Sequence, residues 1–161
     1  MSDYNATART NYFKVKDVAA LKAELIEHGI TPDSHEGARA GAEFVLDDGP
    51  GNTPSGSIAL FSYSTWPSFD EDSVAQRLGI FDEETDVPQK HASLQALISS
   101  HLVEGEVAIF FEIGFEKMRY LGGVSVAINA AGETRRIDLA DIYELAKELT
   151  TTEHAVTLAE Y

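Results

Sequence analysis

Residues 106–113, EVAIFFEI, decide the fold of this chain. Six of the eight are apolar, and most of these are β-branched or aromatic, which is typical of a strand in the middle of a sheet. A second apolar stretch, RYLGGVSVAIN at residues 119–129, follows a short connection that we expect to turn at residues 114–117. The two stretches predict a β-hairpin, with a bulge or a close backbone approach at Gly122 and Gly123.

The same pattern continues toward the C-terminus. Residues 130–132 (AAG) predict another tight turn, into a strand at residues 133–137. Asp138 is a suitable N-cap for a last helix, whose apolar residues recur at helical spacing as far as Leu149. Residues 150–161 are weakly patterned, and we expect this tail to fray.

Toward the N-terminus, residues 10–16 (TNYFKVK) predict a strand, and Asp17 caps a helix that ends before Gly29. Residues 42–46 and 57–63 predict two further strands. A second helix is predicted at residues 89–102, with Pro88 near its first turn. Residues 72–78 are consistent with one or two helical turns.

This order of elements, with short turns between the later strands, favours an antiparallel sheet with helices on one face. We therefore predict a single α+β domain over residues 1–161, with a mainly antiparallel β-sheet of about five to six strands and about three helices. The expected core residues are Phe13, Leu25, Leu60, Leu97, Ile109, Phe111, Val126 and Ile142.

The negative charge is concentrated in the middle of the chain. The net charge is −15, and residues 43–86 hold ten carboxylates against a single base, Arg77, which is a net charge of −9. Unpaired carboxylates are too costly to bury, so we expect them to line one exposed face, with Trp66, Phe69 and Phe81 anchoring the segment to the core. The predicted partner-binding residues are Asp70, Glu71, Asp72, Asp82, Glu83, Glu84 and Asp86.

Composition narrows the classes of partner and compartment. A chain this acidic is repelled by nucleic acid and by anionic membranes, so the expected partner is a basic protein surface, with no direct nucleic-acid or membrane binding. There are no cysteines, no basic and apolar leader, and no apolar run of the length of a membrane span. We expect a cytoplasmic protein of unknown oligomeric state.

Catalytic signatures are weak throughout. The five histidines are dispersed without metal-ligand spacing, and the acidic runs lack the pattern of a calcium loop. Glu112 and Glu116 are read as the solvent-facing residues of their strand. We predict no catalytic residue, no metal site and no cofactor. We therefore expect that the protein is not an enzyme.

A second candidate contact surface is the turn between the two apolar strands. It carries charged and aromatic side chains where exposed groups are held rigidly by the flanking strands, and a cross-strand salt bridge involving Arg119 is the simpler interpretation of the same residues. The alternative partner-binding residues are Glu116, Lys117, Arg119 and Tyr120.

Residues 9–17 (RTNYFKVKD) and 112–123 (EIGFEKMRYLGG), followed by IDL at 137–139, resemble a family of small uncharacterised proteins of phages and conjugative mobile elements. The resemblance covers both ends of the chain, excludes the acidic middle and brings no catalytic residue. It implies a mobile-element setting, in which small acidic proteins often neutralise host restriction or CRISPR machinery.

These observations favour an acidic protein that binds and inhibits a host nucleic-acid-handling defence complex, of the anti-CRISPR or anti-restriction type, by mimicking nucleic acid. Two alternatives stay open. One is a small metal- or nucleotide-dependent enzyme, and the other is a passive accessory protein whose acidity only keeps it soluble.

Overall fold

A seven-stranded sheet forms the centre of the molecule, with strands in the order β2-β3-β4-β1-β5-β6-β7. The computed structural model describes residues 4–34, 44–47, 56–82, 84–116 and 120–149, with Thr151 and Thr157. All neighbouring strands are antiparallel except β2 and β3. The strands are β1 (Tyr4–Thr10), β2 (Asp33–Ser34), β3 (Phe44–Asp47), β4 (Ala59–Ser62), β5 (Val107–Glu116), β6 (Tyr120–Asn129) and β7 (Thr134–Asp138).

Four helices complete the described part of the chain: α1 (Val18–Glu27), α2 (Glu71–Leu78), α3 (Leu94–His101) and α4 (Asp141–Lys147). The α+β class and the antiparallel sheet are confirmed. There are four helices because residues 71–78 complete a helix where one or two turns were expected. Side-chain caps explain two of the starts, since the Asp17 carboxylate accepts from the Ala20 amide at 3.0 Å and the Ser93 hydroxyl accepts from the Ala96 amide at 3.1 Å.

The core lies on one face of the sheet. Ala108 and Phe110 of β5, Leu60 of β4 and Ile128 of β6 are buried there against the apolar sides of α1 and α3. Residues on the opposite parity of β5 are exposed, with Phe111 45% and Ile113 61% accessible. The sheet therefore has a helix-covered face and an open face.

The expected core is half right. Phe13, Leu25, Leu60 and Leu97 are buried, but Phe111 lies on the open face and Ile142, on α4, is 55% exposed. The prediction failed on β5 because the odd-numbered residues of EVAIFFEI are all apolar, whereas the even-numbered ones include Glu106 and Glu112, so the pattern favoured the parity that is in fact open. Ile109 and Val126 are half-buried.

Element boundaries also differ from the prediction. The first strand is residues 4–10, and the expected strand at 10–16 is instead a connection with two isolated bridges, Phe13 to Ile58 and Val15 to Leu102. Helix α3 begins after Ser93, five residues beyond Pro88. Asp138 ends β7, and its carboxylate accepts from the Ala140 amide at 3.1 Å.

The β5–β6 hairpin is longer and more regular than expected. Its register runs without a bulge from the Val107–Asn129 pair to the Glu116–Tyr120 pair, so residues 114–116 continue the strand. The expected close backbone approach at Gly122 and Gly123 is also wrong, since a Cβ at Gly123 would lie 3.7 Å from the Leu139 Cβ, an ordinary van der Waals contact.

Candidate functional site

Helix α2 carries the first part of the acidic segment, and its sequence specifies both ends. Asp70 is the N-cap: its carboxylate accepts from the Ser73 amide at 2.9 Å, from the Ser73 hydroxyl at 2.7 Å and from the Ser68 hydroxyl. Gly79 ends the helix in the left-handed conformation, at φ 70°. Glu71 and Asp72 occupy the first turn, where the helix dipole favours negative charge.

The carboxylates assigned from the sequence are exposed wherever the structure describes them. Three lie at the start of α2 and three in the connection after it, while Glu83 lies outside the described residues. We call this set the acidic surface; it comprises Asp70, Glu71, Asp72, Asp82, Glu84 and Asp86.

Arg77, the single base of the segment, is turned inward. Its Nε donates to the His28 carbonyl oxygen at 3.0 Å, and its guanidinium lies 5.9 Å from the centre of the Phe69 ring. Burial lowers the pKa of Arg77, and the Asp70 charge opposes that shift. Arg77 therefore serves to dock α2 against α1.

The carboxylates of the acidic surface lack salt-bridge partners among the Lys, Arg and His side chains of the described residues, although the Arg77 charge interacts with that of Asp70. Hydrogen bonds from Ser68 and Ser73 lower the pKa of Asp70 to about 2, and a hydrogen bond from the Thr85 side chain lowers the pKa of Asp82. Both groups thus stay ionised at neutral and mildly acidic pH.

Aromatic anchoring of the segment holds for two of the three expected residues. Phe69 is 4% exposed, and Trp66 packs edge-to-face on Phe110 with the ring centres 5.4 Å apart. Phe81 is 87% exposed, so the expectation that it anchors the segment is wrong. Val74, fully buried on α2, contributes the remaining anchor.

The alternative contact surface is described only in part. Glu116 is half-buried at the end of β5 and pairs with Tyr120 across the hairpin. Lys117, Arg119 and the side chain of Tyr120 lie outside the described residues. Glu112, expected to face solvent, is on the helix-covered side of the sheet, where its carboxylate accepts from the Trp66 amide at 2.9 Å.

A buried polar cluster, which the sequence analysis missed, joins α1, α3 and the connection before α3. Glu24 is only 8% exposed. Its carboxylate contacts side-chain nitrogens of three residues, Lys90, His91 and His101. The distance from the carboxylate to His91 Nε2 is 2.9 Å. Helical periodicity gives no reason to bury Glu24, and nothing in the spacing of residues 24, 91 and 101 shows that they meet.

His28 completes this cluster. It is 1% exposed, stacks on Phe69 with ring centres 5.0 Å apart, and its Nδ1 donates to the Glu24 carbonyl oxygen at 2.8 Å. Its Nε2 is buried without a hydrogen-bond partner in the described structure.

Electrostatic interactions within this cluster stabilise the packing of α1 against α3 and the connection before it. Burial opposes ionisation of Glu24, but hydrogen bonds from Lys90, His101 and His91 outweigh it and lower its pKa to about 2. The hydrogen bond between Lys90 and Glu24 also raises the pKa of Lys90. Among the described residues, no group of three or more His, Asp or Glu side chains is arranged to hold a metal ion.

A cleft of about 580 Å³ lies beside α2, lined by hydroxyl and amide side chains and by Arg77. Its described lining includes no carboxylate and no histidine. The described lining therefore supplies neither a carboxylate or histidine general base nor an anionic metal ligand.

Comparison with known proteins adds no relative: no family model, curated protein or solved structure matches this chain. No helix in the described part of the chain is long and apolar enough to cross a lipid bilayer.

Proposed function

We propose that this protein binds and inhibits a host complex that handles nucleic acid, by presenting the acidic surface to the basic groove that normally holds DNA or RNA. The observation that carries the proposal is the exposed charge: six carboxylates that form no salt bridge with the described residues, while Arg77 donates to the His28 carbonyl oxygen. The resemblance at both ends of the chain directs the proposal to restriction and CRISPR complexes.

Charge spacing supports the proposal. Eight residues of α2 span about 12 Å at 1.5 Å per residue; three carboxylates lie at the start of this helix and three follow its C-terminal end. Over a similar length, duplex DNA presents about seven phosphate charges. The acidic surface therefore offers a basic groove a comparable amount of negative charge.

Electrostatic attraction also gives the interaction a measurable signature. Oppositely charged surfaces steer association, and salt weakens that attraction because it screens exposed charges. Inhibition by the acidic surface should therefore fall as the salt concentration rises.

The test begins with capture of partners from a host lysate and identification of the bound proteins by mass. Binding of labelled duplex DNA to the purified partner is then measured by fluorescence anisotropy, with this protein as competitor, between about 0.1 and 0.5 M NaCl. The parent should displace DNA best at the lowest salt.

The variant D82N/E84Q/D86N removes three charges from the acidic surface and should compete less well, with a flatter salt dependence. The matched control, E27Q/E104Q/E148Q, removes three exposed charges elsewhere and should compete like the parent. Equal competition by all three proteins at every salt concentration would show that the acidity serves solubility alone.

The alternative surface predicts a different result in the same titration. Substitution of Lys117, Arg119 and Tyr120 by Ala would then abolish competition, while the D82N/E84Q/D86N variant would keep the salt dependence of the parent. Turnover of a nucleotide or a requirement for a divalent cation would favour the enzyme alternative instead.

A further inference from the structure

The open face of the sheet is apolar and lacks any packed layer among the described residues. Its central side chains come from β5, β6 and β7, and their exposed fractions run from 45% to 69%. They are Phe111, Ile113, Phe115, Leu121 and Ile137. An exposed apolar area of this kind marks an interaction surface.

Register places these side chains in neighbouring rows. Phe111 pairs with Ser125 and Ser125 with Ile137, while Phe115 pairs with Leu121. Helix α4 stands beside them: Leu145 is 57% exposed and lines, with Ile113 and Ile137, a groove of about 430 Å³ between α4 and the sheet.

The charge of this face is unlike that of the rest of the chain. Alternation along β1, β5, β6 and β7 places Glu112, Glu116 and Asp138 on the helix-covered parity, so these four strands present no carboxylate on the open parity. That parity does carry Arg9 and Arg135. In a chain with 27 carboxylates and a net charge of −15, these four strands let two copies meet with no carboxylate on the contacting parity, and the nearest carboxylates, Asp138 and Asp141, line the groove beside α4.

The area is sufficient for a stable pair. The six side chains named above, together with Val107, Leu139 and Ile142, are each about half exposed and offer roughly 700 Å² per copy. A standard interface takes about 800 Å² from each partner. Two sheets packed face to face would bury this area as the inner layer of a sandwich.

We propose that the open face is the contact surface of a homodimer, in which the sheet of one copy packs on the sheet of a second. The groove beside α4, and a second depression of about 540 Å³ between β4, β1 and β5, give each copy apolar hollows for large side chains of its partner. This inference does not depend on the proposed function, because the acidic surface lies on other elements.

Sedimentation velocity of the full chain, from about 5 to 200 μM, tests the proposal. The expected mass is twice 17.5 kDa, with a dimer fraction that rises with concentration. Added salt should maintain or strengthen the dimer, since it screens the repulsion between two chains of charge −15. Partner binding through the acidic surface has the opposite salt dependence, so failure of one proposal is distinguishable from failure of the other.

Leu145→Glu places a charge on the exposed side of α4, and Ile113→Glu places one in the centre of the open face. Each should weaken the dimer at least about tenfold, because a charge would be buried without a partner. Phe81→Glu is the matched control, since Phe81 is 87% exposed on another part of the molecule, and it should dimerise like the parent. Circular dichroism of all three variants establishes that they are folded.

A mass of 17.5 kDa at every concentration would overturn the proposal. Binding of a fluorescent apolar dye by that monomer would then assign the face to a different protein partner. Absence of dye binding by that monomer would show that the chain covers the face itself.

Discussion

Glu24 couples the stability of the fold to pH. Its pKa is about 2 in the folded protein and near 4.3 in an unfolded chain, so its contribution is present above pH 4.3 and is lost as the pH falls toward 2. The shift corresponds to roughly 3 kcal/mol. Urea unfolding followed between pH 7 and pH 2.5 should show this loss, and a Glu24→Gln variant should show a smaller dependence over the same window.

Replacing the Glu24 carboxylate also tests the cluster at neutral pH. Glu24→Gln should lower the free energy of unfolding by about 1–3 kcal/mol, because an amide nitrogen meets donors from Lys90, His91 or His101. Glu27→Gln, on the exposed side of the same helix, is the control and should change stability by less than about 0.5 kcal/mol. Equal effects of the two substitutions would contradict the buried role of Glu24.

Gly29 offers a second comparison between single residues. Gly29 and Gly79 both have φ near 70°, but a Cβ at Gly29 would lie 2.6 Å from the Arg77 Cβ, whereas at Gly79 nothing lies within 4 Å. Gly79→Ala should cost about 1–2 kcal/mol from the backbone alone. Gly29→Ala should cost more, since α2 must shift away from α1; thermal unfolding of the two variants compares them directly.

At the scale of elements, neighbouring phenylalanines of β5 report which face is covered. Phe110 is 1% exposed and Phe111 is 45% exposed. Phe110→Ala should cost about 3–5 kcal/mol, as expected for a large cavity in a core, and Phe111→Ala should cost the monomer much less. A larger loss for Phe111→Ala in dilute, monomeric protein would mean that the open face is covered within one chain.

The positions of elements with a clear hydrophobic period and capping residues could be predicted from the sequence. Which face of each element is buried could not. Asp17 and Gly29 bound α1 as expected, and the β5–β6 hairpin lies where the apolar runs indicated. On β5 the two glutamates suggested the wrong face, because Glu112 is stabilised on the covered side by the Trp66 amide. A hydrogen bond between residues 46 positions apart leaves no local signal.

Of the features around the candidate site, the exposure of the carboxylates could be predicted from the sequence, and the buried polar cluster could not. Exposure of Asp70 and Asp82 followed from the cost of burying unpaired charge, which depends on composition alone. The cluster around Glu24 depends on the packing of α1 on α3, so it required the tertiary structure. His101, one of the five dispersed histidines, is one of its members.

For the whole molecule, a net charge of −15 predicts that salt stabilises the fold. Raising NaCl from about 0.02 to 0.5 M should increase the melting temperature, because screening reduces repulsion among the carboxylates. The D82N/E84Q/D86N variant should have a melting temperature equal to or slightly above that of the parent and a weaker response to salt. A lower melting temperature would show that these side chains stabilise the folded state.

The position of β1 has a consequence for synthesis of the protein. This strand lies in the middle of the sheet and pairs along its whole length with β5, so that Tyr4 meets Glu116. A ribosome adds about 5–20 residues per second, so β1 waits roughly 5–20 s for its partner to be made. Meanwhile the edge of β1 that binds β5 is unpaired, and a contact between distant segments also slows folding after release. Fast translation or a chaperone that shields β1 should therefore raise the yield of folded protein.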